Sequence, residues 1–196
     1  MQYMDKINSL KSRKILLPSL DPRARETSFK EFPIIRQAYS EILGSHHIDH
    51  FSINMVLSNG KMLVFSICPE IAYTLYSSRR GIEQDLAISP TFYDNMDFYF
   101  WEDCYSDESK REVMNKKEER FGIKAGAVII KQIEDIKYLL SFGTKSSADN
   151  FKHDIYTNQA LYNKLGSGCL EIMDSSIKKY TDSAEIHNAK IYQFKK

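Results

Sequence analysis

The sequence predicts an α/β fold: an α-β-α sandwich with a central antiparallel sheet of about five strands and helices on both faces. Three observations predict it. Residues 51–57 and 61–67 are two strand-forming runs, and Ser58-Asn59-Gly60 lies between them. Asn-Gly supplies the positive φ angles of a type I′ hairpin turn. A second adjacent pair, 123–132 and 136–143, meets around Glu134-Asp135. Finally, strands come in neighbouring pairs flanked by helices instead of alternating one by one with crossover helices. That order disfavours a doubly wound parallel sheet.

The stretch Phe121-Gly122-Ile123-Lys124-Ala125-Gly126 is the hub of this arrangement. A charged helix over 106–120 comes before it, with Ser106 as N-cap and Asp107 and Glu108 in its first turn. Gly122 and Gly126 permit a backbone angle or a close approach that a Cβ would forbid. The apolar run that follows enters a central strand.

Earlier in the chain, 32–43 reads as a helix with Ile34, Ile35, Ala38, Tyr39, Ile42 and Leu43 on one stripe and Gly44 as its stop. Residues 69–78 read as a short helix, and Arg79-Arg80 as its solvated end. The stretch 82–101 is aromatic throughout: Phe92, Tyr93, Phe98, Tyr99, Phe100 and Trp101. Asp85 sits among Leu86, Ala87 and Ile88 just before these rings. An acid in an apolar run is either exposed at a turn or buried with a partner, because a buried unpaired carboxylate is too costly. Late in the chain, Ser146 or Ser147 caps a helix to Leu165 with Phe151, Ile155 and Leu161 inward. Gly166 and Gly168 are expected to break it, and a further helix covers 170–180.

Bulk properties bound the function. The chain has 196 residues and a formal net charge of +1, so it has no overall attraction for nucleic acid or an anionic membrane. No stretch approaches the ~20 apolar residues of a membrane helix, and the first residues lack an apolar signal core. Cys68, Cys104 and Cys169 are odd in number and form no CxxC pair. They point to a reducing, cytoplasmic setting and away from a disulfide framework or a cysteine zinc site. Ser45-His46-His47-Ile48-Asp49-His50 is the one metal-like cluster. It lies between a helix stop and a strand and has no glutamate base, so it reads as a polar loop with one histidine tucked at a strand start. Twelve Tyr and eleven Phe can serve as core or as pocket walls.

Three segments follow: an N-terminal arm over 1–27, a main domain over 28–182 and a C-terminal tail over 183–196. The basic residues Lys11, Arg13, Lys14, Arg23 and Arg25 of the arm fit a solvated tail and a partner-binding arm equally well.

From about residue 30 to residue 180 the chain resembles the autoinducer-binding sensor domain of LuxR-type quorum-sensing regulators. Phe121-Gly122-Ile123-Lys124-Ala125-Gly126 is similar to that family's FGI-x-x-G turn. Ile48-Asp49-His50-Phe51 is similar to the segment leading into its first strand. The family spaces a pocket Trp, a Tyr four later, an Asp nine after that and a second Trp fifteen further. Asp85 then places Tyr76 on the Tyr, and Phe100, beside Trp101, near the second Trp. Ser141 falls where the family often has a pocket hydroxyl. The resemblance implies a PAS- or GAF-like sheet and a homodimer. It also implies a small hydrophobic signal of the acyl-homoserine-lactone kind, whose amide N–H donates to Asp85. Tyr76 and either Trp101 or Phe100 would wall its pocket. The chain departs from the pattern at Ala72, where the first Trp would donate to the lactone carbonyl, unless Tyr73 substitutes with a shift of one. Cys68 stands where several members carry a pocket Tyr. About fifteen residues follow Tyr180, too few for a helix-turn-helix unit, so no nucleic-acid binding is expected of these residues alone.

These readings favour a cytoplasmic, non-enzymatic signal sensor without a cofactor. The alternative is an interaction module that keeps the fold, has lost the signal, and dimerises with or inhibits a regulator or binds another protein. No Ser-His-Asp or Cys-His set has supportive local context, and Glu102-Asp103 beside Cys104 reads as a helix-edge acid pair.

Overall fold

Six strands pair edge to edge: β1 (Ser19–Leu20), β2 (His50–Val56), β3 (Lys61–Ser66), β4 (Phe98–Phe100), β5 (Ala125–Ile133) and β6 (Ile136–Thr144). Their order across the sheet is β1-β3-β2-β6-β5-β4. This is a computed structural model, and it describes residues 2–16, 19–76 and 85–193. The side chains of residues 72, 74–76, 107–109, 111 and 182–193 lie outside that description. Every pairing is antiparallel except the two-residue contact of β1 with β3. Both expected hairpins are present, with Val56 opposite Met62 and Ile133 opposite Ile136. The sheet has one strand more than the sequence predicts, because two- and three-residue edge strands leave too few positions to show a period.

The first hairpin differs in its turn. Gly60 has φ of 75°, while Asn59 is not among the residues with positive φ, so the turn is not type I′. Gly60 N–H instead donates to Leu57 C=O at 2.8 Å, and Asn59 Oδ1 accepts from Lys61 N–H at 3.0 Å. One left-handed glycine after an i→i+3 turn makes a three-residue loop with a bulge. The asparagine serves through its side chain.

Eight α-helices are seen among the described residues: α1 (Tyr3–Lys11), α2 (Ala24–Lys30), α3 (Phe32–Ala38), α4 (Pro69–Tyr76), α5 (Pro90–Tyr93), α6 (Asp107–Phe121), α7 (Ala148–Thr157) and α8 (Gln159–Gln193). One face of the sheet presents Phe51, Ile53, Met55, Phe65, Leu140 and Phe142. There they pack with Ile35 and Ala38 of α3, Phe151 and Ile155 of α7, and Tyr162, Cys169, Met173 and Ile177 of α8. The other face carries Tyr99, Val128 and Leu139 against Ile7 and Leu10 of α1, Phe92 of α5, Tyr105, and Val113 and Met114 of α6. The sandwich therefore has two cores, one on each side of a single sheet.

The N-terminal stretch does not lie free of the fold. Ile7 and Leu10 are buried, and the Tyr3 hydroxyl accepts from Phe100 N–H at 3.0 Å and donates to Asp103 at 2.8 Å. It thereby ties α1 to the edge strand β4. The expected helix over 32–43 ends in a π-helical turn, Tyr39–Leu43. The late helices also differ from expectation. Ser147 caps α7, but the helix stops at Asn158 and α8 restarts with a shifted phase, which buries Tyr162 and leaves Leu161 41% exposed. Gly166 and Gly168 do not break α8. A Cβ on Gly166 would sit 2.4 Å from Leu140 Cδ1, and one on Gly168 3.2 Å from Ile42 Cδ1. These glycines let α8 lie close on β6 and on the turn after α3.

Candidate functional site

The face of the sheet toward α6 has a polar floor. In β2 the side chains alternate. Phe51, Ile53 and Met55 enter the apolar core, whereas His50, Ser52 and Asn54 point to the opposite side. A polar strand face ordinarily meets water, yet here all seven residues of β2 are buried. The register extends the floor sideways: Ser52 lies opposite Ser66 of β3 and opposite Ser141 of β6. Three serines thus stand in one row across the sheet centre.

Trp101 forms one wall. It follows β4 in a short 3-10 turn, Trp101–Cys104, and its indole lies over Gly126. A Cβ on Gly126 would be 2.2 Å from the ring, and one on Gly143, directly opposite Gly126, would be 3.2 Å from Trp101 Cη2. The two glycines form a slot that only a bare backbone provides. Indole Nε1 donates to Ser141 Oγ at 3.0 Å, and the His50 ring meets the indole edge-on at 6.0 Å. Gly122, at φ of 72°, makes the turn that delivers β5 to this position.

Asp85 and Lys117 close the chamber from above the floor. Asp85 is 3% exposed, and its Oδ1 accepts from the Tyr105 hydroxyl at 2.6 Å. Lys117, on the inward stripe of α6 with Val113 and Met114, is 4% exposed. Its ammonium lies 3.6 Å from Asp85 Oδ1 and 4.0 Å from the centre of the Trp101 ring, a cation–π contact. Every described residue lining the space is buried. Between them is a cavity of about 30 Å³. That is room for roughly two waters.

Among the described residues two polar atoms of this chamber lack a hydrogen-bond partner: His50 Nδ1 and Asn54 Oδ1. Buried polar atoms are almost always satisfied, so these mark where a water or a ligand group belongs. Burial, and then the nearby Lys117 charge, lower the His50 pKa from 6.5 to about 3. The ring is therefore neutral at physiological pH. Among the described lining residues Asp85 and Lys117 are opposite in sign and balance each other.

Of the residues singled out from the sequence, Asp85, Trp101 and Ser141 meet around the chamber. Phe100, Tyr73 and Cys68 are placed elsewhere. Phe100 faces the opposite core, because strand alternation gives the chamber side to Tyr99 and the turn gives it to Trp101. Tyr73 is 50% exposed, edge-on to Phe29 and beneath Arg25. Cys68 sits past the end of β3, bonded to Ser66 and Glu70 and apart from the chamber lining. The side chain of Tyr76 and the residues Arg79 and Arg80 lie outside the described residues. The sequence reading missed His50, Asn54, Ser52, Ser66, Tyr105 and Lys117 as chamber residues. The period-2 polar alternation of His50-Phe51-Ser52-Ile53-Asn54 was their available signal, as was the placement of Lys117 four residues after Val113.

Burial raises the Cys104 thiol well above its ordinary value and the Cys169 thiol to about 12, so neither is a ready thiolate. No group of three or more His, Cys, Asp or Glu side chains that could hold a metal is present among the described residues. No helix among them is long and apolar enough to cross a membrane.

No family model matches this chain, and no curated protein matches it. Solved structures of Escherichia coli SdiA, a LuxR-type autoinducer-binding regulator, are similar in fold. A crystal structure of SdiA shares 15% identity at a TM-score of 0.47, covering 77% of this chain and 66% of that one. SdiA in complex with octanoyl-rac-glycerol shares 13% identity at a TM-score of 0.47, covering 77% and 65%. The chain thus spans just under two thirds of the length of these structures.

Proposed function

We propose that this chain is a non-enzymatic, small-molecule-binding sensor domain whose ligand head group occupies the chamber between the sheet and α6. The observation that carries the proposal is the pair of unsatisfied atoms, His50 Nδ1 and Asn54 Oδ1, beside the buried Asp85–Lys117 pair. A core built only for stability would have no use for this arrangement, because each unpaired group costs about 1–3 kcal/mol. The chamber holds roughly two waters, so a larger ligand enters by selecting an expanded state. That coupling converts occupancy into a population shift, as a sensor requires. The protein acts in the cytoplasm as a homodimer, and residues 1–196 do not bind DNA on their own.

The test is a set of thermal melts with N-octanoyl homoserine lactone and 1-octanoylglycerol, read beside sedimentation of the same samples. A saturable rise in Tm with either compound is expected, following RT ln(1 + [L]/Kd). Unchanged melts at concentrations well above micromolar would contradict the reading.

One observation favours a second reading. Asp85 is already satisfied from within the protein, by Tyr105 and by Lys117. An interaction module that has replaced its ligand by internal contacts would look like this. It predicts a ligand-indifferent melt and a stable complex with a protein partner.

A further inference from the structure

Lys117 is the most underused group in the chamber. Its side chain is 5% exposed. An ammonium has three N–H donors and no acceptor capacity. Its nearest acceptor, Asp85 Oδ1, is at 3.6 Å, beyond a proper hydrogen bond, and already accepts from Tyr105 at 2.6 Å. Its other close contact is the Trp101 ring face at 4.0 Å. The ammonium is thus held by charge and by the ring, with its donors directed at nothing closer.

Asn54 Oδ1 and His50 Nδ1 complete a three-point pattern. Asn54 Oδ1 can only accept, so whatever meets it must donate. The ammonium can only donate, so whatever meets it must accept. A second carboxylate at Lys117 would lie beside Asp85 with no further cation among the described lining residues to balance it. A neutral carbonyl oxygen has no such conflict. From these contacts we infer that Lys117 is the specificity-determining donor of the chamber. It selects a neutral ligand that offers a carbonyl oxygen to its ammonium and a hydroxyl or amide N–H to Asn54. This deepens the sensor reading above and rests on it.

The test compares 1-octanoylglycerol with 1-O-octylglycerol, an ether with the same hydroxyls and no carbonyl. Binding of both is measured by titration calorimetry to the wild-type chain, to Lys117→Gln, and to the double variant Asp85→Asn/Lys117→Met. The double variant removes both charges together, so neither is left buried alone, and circular-dichroism melts verify that each variant folds. The ester is expected to bind the wild type at least tenfold more tightly than the ether. Lys117→Gln, which keeps an N–H donor, retains part of that preference, and the double variant reduces it to about onefold. A double variant that does not fold leaves the wild type and Lys117→Gln to decide. Equal binding of ester and ether by the wild type overturns the assignment of Lys117 and leaves the sensor reading intact. So does a preference undiminished in Lys117→Gln or, where it folds, in the double variant. Binding of neither compound overturns the sensor reading for neutral ligands, and this inference with it.

Discussion

His50 shows how one buried side chain can set the acid limit of the fold. A free histidine titrates near 6.5, and in the folded chain burial and Lys117 lower that to about 3. Below pH 6.5 the unfolded chain takes up a proton that the folded one refuses. The contribution of the neutral ring is therefore complete above pH 6.5 and is lost as pH falls toward 3, by about 1.4 kcal/mol per pH unit. Urea denaturation at pH 7 and pH 5 checks this: His50→Gln is expected to flatten the difference, and an unchanged difference would contradict it. Gly126 gives a second prediction at this scale. An alanine there would place its Cβ 2.2 Å from Trp101, so Gly126→Ala displaces the indole and destabilises by about 1–3 kcal/mol, as overpacking does. Trp101 is the single tryptophan of the chain. Its emission reports the displacement directly, and a wild-type spectrum with wild-type stability would rule out the slot. The role of the two hub glycines was legible in the sequence, because a paired Gly-x-x-x-Gly before a β-branched run demands such an explanation. What lay over Gly126 was not, since Trp101 reaches it only through strand pairing.

At the scale of elements, the two hairpins were readable from turn residues flanked by β-formers. Periodicity failed where elements are short or where polar positions are buried. The two-residue β1 and three-residue β4 show no period. The alternation in β2 was clear, but alternation alone says only that the faces differ. It cannot say that the polar face meets a chamber in place of solvent, because α6 covers it from 50 residues away in sequence. The same limit hid α1. Its residues Ile7 and Leu10 carry too little periodic signal by themselves, and their burial depends on the distant aromatic stretch. Tyr3 fastens this helix to β4 through two hydrogen bonds. Tyr3→Phe is expected to cost about 1–2 kcal/mol and to raise amide exchange at Phe100, whose N–H loses its acceptor. Hydrogen exchange of β4 unchanged from wild type would show that α1 is only loosely attached.

For the whole molecule, the asymmetry of the two sheet faces matters most. One face is sealed by α3, α7 and α8 with aliphatic and aromatic side chains. The other has an apolar rim around a polar centre, and that centre collects Asp85, Lys117, His50 and three in-register serines. A single sheet thus separates a core that supplies stability from one that leaves polar valences open. Asp85 was visible in the sequence as an acid among apolar residues, and its burial with a partner was one of the two readings open to it. The partners Tyr105 and Lys117 were not visible, because Lys117 is fixed by the packing of α6 against the sheet and Tyr105 by the turn after β4. The central claim is that the open valences hold a small molecule. Native mass spectrometry of the full chain, purified from its own host without added ligand, tests it most directly. The account predicts a one-to-one adduct that releases a neutral small molecule on denaturation and is lost in the variant Ser141→Phe, which fills the chamber. A protein that carries only its own mass under conditions that preserve a known weak complex would contradict it.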